Sequence, residues 1–463
     1  MQWSCQQILD IVGGRLVGAG QATVLPQLVT GVSTDSRTLQ SGDLFIPLRG
    51  PHYDGHDYLR QAVEHGAAAC LSEEVVGGLP VPVIQVGNCL TALGQLARSV
   101  RRGFAGPVAA ITGTSGKTST KEMLASILSL REEGLRTLGN YNNLIGLPLT
   151  LCRLESAHRF MVLEMGMSAP GEIDQLARIA EPTLAIITNI GAGHLQGLGS
   201  VRGVARAKAE LLAHLKPGSL ALLNADDPEL MRLTLPAGVI RQTFGLGATA
   251  DVRATDLRPG RAMQFCLHCP AGSVELTLPL PGRHQVYNAL AAAAAALHLG
   301  RDLEEVVAGL QRVRMAAARL EVRELSDGTT LLDDSYNANP QSMQAALEVL
   351  HSWPCRGRRI AVLADMLELG EAAAGCHEDV GAFAAARVDY LLALGSYREA
   401  LLGGAARAGL ALDCCLACDS HDAMARWLAE QVRPDDCVLV KGSRGMRMET
   451  VVEFLLRQAG KVA

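Results

Sequence analysis

The chain has 463 residues, 48% of them apolar and 19% charged, with 42 Lys and Arg against 47 Asp and Glu for a formal charge of −5. This composition fits folded cores and excludes a disordered tail or a coiled coil, and at roughly 150 residues per domain the length suggests about three domains. The slightly acidic balance, without long basic runs, leaves no electrostatic footprint for nucleic acid or anionic lipid.

The opening MQWSCQQILDIVGG lacks the basic start, apolar run and small-residue cleavage site of an export signal, so a cytoplasmic location is expected. Short apolar runs broken by Gly, Asp and Ser turns then lead to the Pro-rich GLPVP, giving a first small α/β domain, residues 1–86. From Pro107 strand-like and helix-like segments alternate: PVAAITG and KEMLASILSL, RFMVLEMG and EIDQLARIA, TLAIITNIG and VRGVARAKAELLAHL. The alternation predicts βαβ units and a parallel sheet in a central domain, 87–316, which also takes in a β-rich stretch from Asp251 to Pro281 and an Ala-rich helix from about His284. The run Ala289 to Leu299 falls well short of the ~20 residues of a membrane span, so it is a core helix and no stable membrane insertion is expected. After Ala316 a second α/β unit, 317–463, contains TTLLDDSY, QSMQAALEVL, RRIAVLADM, VDYLLALG and DCVLVKG. The 12 cysteines are scattered, and neither Cys266 with Cys269 nor the group Cys414, Cys415 and Cys418 has the matching half of a zinc site. They are expected to be thiols in a reducing compartment.

The strongest chemical signal is Gly113-Thr114-Ser115-Gly116-Lys117-Thr118, set between the apolar PVAAIT and a helix starting near Ser119. Glycines let backbone N–H groups approach phosphate oxygens and the helix N-terminus favours negative charge. Lys117 can reach the outer phosphates and the Thr118 hydroxyl can ligate Mg²⁺. Two residues separate the glycines where the common phosphate loop has four. Glu164 and His194 each follow an apolar strand, and in an open parallel sheet such strand ends share a ligand crevice. Lys208 shares one predicted helix face with Val201, Val204, Leu211 and Leu215, so it is expected inside an apolar stripe, where burial disfavours its charge. Further candidates are Asn288 in GRHQVYNAL, Arg319 in AAARLEV, the DDSYNANP segment with Asp334, Tyr336 and Asn337, and the Gly-rich basic turn with Lys441, Ser443 and Arg444.

GTSGKTST, LEMG, NIGAGH, AKAELL, GRHQVYNA, ARLE and DDSYNANP, in this order and at compatible spacing, make nearly the whole chain resemble the Mur ligase family, the ATP-dependent amide-forming enzymes of peptidoglycan stem-peptide synthesis. The resemblance implies a three-domain α/β fold: a small N-terminal UDP-substrate domain, a central phosphate-loop mononucleotide-binding domain with a parallel sheet, and a Rossmann-like C-terminal domain. NYNNLIGLPLTL, LADMLELG, KGSRGMRME, and STDSR followed by GDLFIPLRGPHYDGHDYL, look most like the member that joins D-alanyl-D-alanine to UDP-N-acetylmuramoyl-tripeptide. A DNPR-type motif, typical of the preceding ligase, is missing, and Ala364 stands where relatives commonly have Gly. A nucleotide-gated switch, a folylpolyglutamate synthetase and the preceding ligase, which adds diaminopimelate or lysine, are the competing readings; the GDLFIPLRG-type first domain argues against the folate enzyme and the missing DNPR-type motif against the preceding ligase.

By this resemblance, Gly113, Thr114, Ser115, Gly116, Lys117, Thr118 and Ser119 bind ATP phosphates, with Asn288, Arg319, Asp334, Tyr336 and Asn337 as further nucleotide contacts. Thr118, Glu164 and His194 organise Mg²⁺, and Lys208 is the family's carbamylated lysine, an anion able to hold a second Mg²⁺. Lys117, Lys208, His194 and Arg319 carry the catalytic roles. Ser33, Asp35, Ser36, Arg37, Asn142, Asn143, Lys441, Ser443 and Arg444 contact substrate. The enzyme is expected to act as a monomer, with the third domain closing on nucleotide about a hinge near residue 316.

Overall fold

In a computed structural model of the protein, which describes residues 2–17 and 28–459, three sheets follow one another along the chain. The first contains β1 (Arg15–Val17), β2 (Gly31–Ser33), β3 (Asp43–Phe45), β4 (Ala69–Ser72) and β5 (Val83–Gln85). Its order is β1-β5-β4-β3-β2, parallel except for β1.

The second sheet has nine strands: β6 (Val108–Thr112), β7 (Gly134–Arg136), β8 (Phe160–Glu164), β9 (Leu184–Ile187), β10 (Leu220–Asn224), β11 (Ile240–Gly245), β12 (Val252–Arg258), β13 (Met263–Cys269) and β14 (Gly272–Leu278). The order β14-β13-β12-β11-β10-β9-β6-β8-β7 is parallel from β7 to β12 and antiparallel beyond. Strands β6, β8, β9 and β10 are buried at every position, as continuous apolar runs covered on both faces must be. From β6 the chain moves to one side for β7 and β8 and to the other for β9, so the carboxyl end of β6 lies at the switch point where such sheets bind ligands.

The third sheet, β15 (Glu321–Glu324), β16 (Thr330–Asp334), β17 (Arg359–Ala364), β18 (Tyr390–Leu394), β19 (Cys415–Cys418) and β20 (Cys437–Lys441), runs β15-β16-β20-β17-β18-β19 and is parallel apart from β15. Its first long helix, Pro340–Ser352, starts where the sequence dictates: Asn339 accepts the Ser342 N–H in a capping box, and Pro340 occupies a first-turn position that needs no donor.

Packing joins the first two units more tightly than it joins the third. Helix Cys89–Arg102 buries Leu93, Leu96 and Ala97 in one core that runs from Ile8 and Ile84 to Leu176 and Leu211. Its buried Arg101 donates to the carbonyls of Ala180, Phe104 and Glu181. The Ala-rich helix Arg283–His298 is buried as expected, with Ala289 and Ala291 to Ala296 at 0% exposure against the other face of the central sheet. The cysteines are free thiols, and no group of metal-ligating residues forms among the described residues.

Candidate active site

Three adjacent strand ends build one side of a cavity of about 660 Å³. After β6 the chain turns through Gly113 and Gly116, both at positive φ (152° and 83°), into a helix beginning at Lys117, two residues before the expected start. A Cβ on Gly113 would lie 1.8 Å from Thr188 Oγ1, and one on Gly116 would lie 2.2 Å from Asn288 Oδ1, so only glycine fits either place. The loop is clamped from β9: Ser115 N–H donates to Asn189 Oδ1 at 2.9 Å, Asn189 Nδ2 and Thr188 Oγ1 donate to the Ser115 carbonyl, and Gly191 N–H donates to Thr114 Oγ1. Lys117 Nζ folds back onto the Gly113 and Thr114 carbonyls at 2.8 and 3.3 Å, a charge held within a helix N-terminal cradle. Burial lowers its pKa, countered by Glu164 and reinforced by Arg319.

At the end of β8, Glu164 is 2% exposed, accepts hydrogen bonds from Thr118 Oγ1 and Asn142 Nδ2, each at 2.8 Å, and forms no ion pair among the described residues. A buried carboxylate facing a polar cavity with a hydroxyl beside it is a set of hard oxygen donors, which fits Mg²⁺. That ion usually keeps several waters and takes one or two protein ligands plus phosphates, so no complete protein cage is required. His194 lines the same cavity, but its Nδ1 faces Glu368 of the third sheet's domain. The hydrogen bond from His194 lowers the Glu368 pKa. Asn143 also lines the cavity, although its Oδ1 is used to cap helix Gly146–Leu151 through the Ile145 and Gly146 N–H groups.

Lys208 is buried at 2% exposure, with its pKa lowered well below normal by desolvation and then by nearby Lys117. It does not line the cavity itself, and among the described residues its amine has no hydrogen-bond or ion-pair partner. The expected stripe is only partly realised. Val204, Leu211 and Leu215 are buried, whereas Val201, the first residue of the helix, is 38% exposed; the α-helix ends at Ala209, and a tighter 3₁₀ turn, Glu210–His214, carries Leu211 onward.

The opposite wall comes from the third domain. Arg319 sits between Ala318 and Leu320, two non-glycine residues with left-handed backbone (φ 57° and 54°), which are tied down by Tyr336 N–H to the Ala318 carbonyl and Leu320 N–H to Asp334 Oδ1. Its guanidinium lies over the Tyr336 ring, 4.1 Å from the centroid, and that of Arg444 approaches the same ring at 5.7 Å. Lys441, expected to contact substrate, lines the cavity and is buried and paired: Nζ donates to Asp334 Oδ2 at 2.5 Å and to the Asn337 carbonyl at 2.9 Å. Adjacent strands impose this pair, since Asp334 and Lys441 are register partners on β16 and β20. Ser443 does not line the cavity; its hydroxyl accepts from Leu367 N–H and donates to the Ala338 carbonyl, bracing two loops.

Lying apart from this cavity, Ser33, Asp35, Ser36 and Arg37 form a loop of the first domain that satisfies itself. Asp35 takes both prongs of Arg37 at 2.9 and 2.7 Å, which holds its pKa down to about 2; Ser33 bonds the Asp35 backbone and Ser36 donates to Gln61. Residues that sequence reasoning missed include Asn189, His284 and Gln285, and the cross-domain partners Asn339, Gln341 and Glu368. Gln285 accepts from Asn288 Nδ2, and His284 is neutral, its pKa lowered to about 4 chiefly by burial. Asn339 Nδ2 donates to Ser115 Oγ at 3.0 Å and Gln341 Nε2 to the Ile190 carbonyl at 3.2 Å. Asn339 stands out only as a turn residue of DDSYNANP; Asn189, His284, Gln285 and Glu368 lie within the motifs NIGAGH, GRHQVYNA and LADMLELG, but nothing in those motifs alone shows what they pair with.

Comparison with known proteins agrees with this geometry. Family models described as "Mur ligase family, catalytic domain", "Mur ligase middle domain" and "Mur ligase, glutamate ligase domain" match residues 28–101, 111–296 and 318–444. The chain is 38% identical over 454 residues to the "UDP-N-acetylmuramoyl-tripeptide--D-alanyl-D-alanine ligase" of Escherichia coli K12, covering 97% of each chain. It is similar to the crystal structure of MurF from Acinetobacter baumannii, with a TM-score of 0.90 at 34% identity over 99% of each chain. MurF from Thermotoga maritima in complex with ADP matches with a TM-score of 0.83 at 29% identity, over 94% of this chain and 99% of that one. With its three domains matched in order by the family's models, the chain belongs to the Mur ligase family.

Proposed function

We propose that the protein is an ATP-dependent amide ligase that joins D-alanyl-D-alanine to UDP-N-acetylmuramoyl-tripeptide, giving the UDP-linked pentapeptide, ADP and phosphate. The observation that carries this reading is a glycine-only phosphate loop facing, across one cavity, the Arg319–Tyr336 pair of another domain. The tripeptide's terminal carboxylate attacks the γ-phosphorus, ADP leaves, and an acyl phosphate forms. The dipeptide amine then attacks the acyl carbon, loses its proton, and expels phosphate.

Each step brings anions together, so the chain's own work is neutralisation and alignment. Lys117 and the N–H groups of the loop hold the outer phosphates, Arg319 balances the transferred group, and Asn288 and Asp334 orient the nucleoside. Thr118 and Glu164, with His194 nearby, would hold Mg²⁺, which would supply charge compensation to the phosphate oxygens. Lys208, as a carbamate, would offer an anionic ligand for a second ion; a neutral amine is what reacts with CO₂, and burial favours that form. Ser33, Asp35, Ser36 and Arg37 serve the UDP end of the substrate. Asn142 and Asn143 line the path toward the tripeptide, and Arg444 faces the incoming dipeptide. The working units are 1–86, 87–316 and 317–463, acting as a monomer in the cytoplasm.

Phosphate release from Mg²⁺-ATP, measured with both substrates and with each omitted, tests the proposal when the product is weighed by mass spectrometry. Turnover that requires both, together with the pentapeptide mass, is the expected result. Phosphate without product would favour the switch, and joining of a free amino acid to a shorter precursor would favour the preceding ligase.

A further inference from the structure

Among the eight described non-glycine residues with positive φ, two meet each other across domains: His194 (φ 56°) after β9 and Glu368 (φ 63°) after β17. Left-handed backbone at such residues costs roughly 1–3 kcal/mol each and persists where the surroundings impose it. Here they do. Glu368 belongs to a loop pinned by Leu367 N–H to Ser443 Oγ at 2.9 Å and Met366 N–H to His377 Nε2 at 2.9 Å. Its carbonyl accepts Gln196 N–H at 3.0 Å, a second bond between the same two loops. A carboxylate can only accept, so the imidazole must carry its proton on Nδ1. Nε2 then keeps its lone pair when the ring is neutral, and among the described residues it makes no hydrogen bond, while His194 is one of the residues that line the cavity.

We propose that Glu368 is a positioning residue whose carboxylate, delivered by the third domain, fixes the Nδ1-protonated tautomer and the orientation of His194. The imidazole thereby presents Nε2 to the cavity only while the two domains are docked. The inference rests on the reading of that cavity as a divalent-metal nucleotide site. Outer partners that orient a metal-binding histidine in this way typically contribute 10- to 100-fold in metal affinity. What distinguishes this arrangement is that the outer partner comes from a different domain, so domain docking and ligand geometry become one event.

The test uses the full-length protein with Mn²⁺ and ADP, without turnover. Mn²⁺ affinity is measured by titration, and nitrogen coupling to the bound ion by pulsed electron paramagnetic resonance. Glu368 is 53% exposed, so its substitution spares the core. The expected result is nitrogen coupling in the wild type, its loss in His194→Ala and Glu368→Ala, and roughly tenfold or greater weakening of Mn²⁺ binding in Glu368→Ala. Glu368→Gln, which keeps an acceptor oxygen, is expected to retain most of both signals. Adding Glu368→Ala to His194→Ala should cost nothing more. Gln341→Ala, which removes a different bond between the same domains, should keep the coupling; if it loses the coupling as fully as Glu368→Ala, docking alone is responsible and the carboxylate has no specific role. Coupling and affinity unchanged in Glu368→Ala while His194→Ala loses both would overturn the orienting role alone. Absence of nitrogen coupling in the wild type would remove the metal reading of His194, and the proposal with it.

Discussion

The guanidinium of Arg319 rests on the ring of Tyr336, 4.1 Å from its centroid, with Arg444 approaching the same ring at 5.7 Å. One aromatic ring thus holds a cation that is itself presented by left-handed residues on both sides. Such contacts are worth about 0.5–2 kcal/mol, so Tyr336→Ala is expected to lower kcat/KM for ATP roughly 2- to 30-fold. Tyr336→Phe, which keeps the ring face, should stay close to wild type. Steady-state kinetics at saturating second substrates checks both.

Lys208 pits stability against function. Its side chain is buried with no hydrogen-bond or ion-pair partner among the described residues, and desolvation lowers its pKa, so the unfolded chain binds more protons than the folded one below the ordinary lysine value near 10.5. The stability penalty is therefore largest at low pH and fades as pH rises toward that value. Lys208→Met is expected to raise the thermal midpoint by roughly 2 °C or more at pH 6, and by less at pH 9, while abolishing ligation. Scanning calorimetry at the two pH values, with a product assay, tests this; a lowered midpoint at pH 6 would contradict it.

His284 gives a second pH signature. Burial and then the opposing influences of Asp334, which raises, and Lys441, which lowers, leave its pKa near 4 against 6.5 when free. Stability from this neutral histidine is complete above pH 6.5 and is lost as pH falls toward 4, by at most about 3 kcal/mol. The wild type should therefore lose stability across that window more steeply than His284→Gln. Denaturant titrations at pH 7 and pH 4.5 would show it, and equal losses in the two proteins would exclude it.

Gly116→Ala places a Cβ 2.2 Å from Asn288 Oδ1 at a backbone φ of 83°. That overlap must displace the loop that receives the phosphates, so ADP affinity should fall roughly tenfold or more, while the left-handed strain of about 1–2 kcal/mol adds a loss of stability. Gly171, also at φ 83° but with nothing near its Cβ, is the control: Gly171→Ala carries the strain without obstructing the loop, so it should lower stability and leave ADP affinity intact. Isothermal titration separates the two effects.

Docking of the third domain onto the phosphate loop, through Asn339 to Ser115 and Gln341 to Ile190, should tighten when nucleotide and substrates bind. Small-angle scattering is expected to show compaction about a hinge near residue 316, and an unchanged radius of gyration would count against it.

The sequence displayed best what is local. Gly113 to Thr118 announce themselves because strand, glycines and helix are contiguous, and Glu164 and His194 because each follows an apolar strand. Burial of Lys208 followed from its neighbours even though the helix stops at Ala209 and Val201 is exposed. Pairings between distant segments were not legible. Lys441 is neutralised by Asp334 only because β20 inserts beside β16, and Ser443 is a brace only because two loops converge on it. The self-satisfied loop of Asp35 and Arg37 was recognised as a motif, yet its internal ion pair depends on a turn that residue types alone do not reveal.

The run of buried alanines in Arg283–His298 has a bearing on mutational drift. Methyl side chains let this helix lie against the helix that begins at Lys117, while at Gly309 a third helix approaches so closely that a Cβ would come within 2.4 Å of the Ile127 Cα. An added methylene on the face toward the helix that begins at Lys117 would push the phosphate loop's own helix, and one on the opposite face would push the central sheet. Alanine positions that do not line the cavity are thereby tied to the geometry of the loop through the helix that carries it.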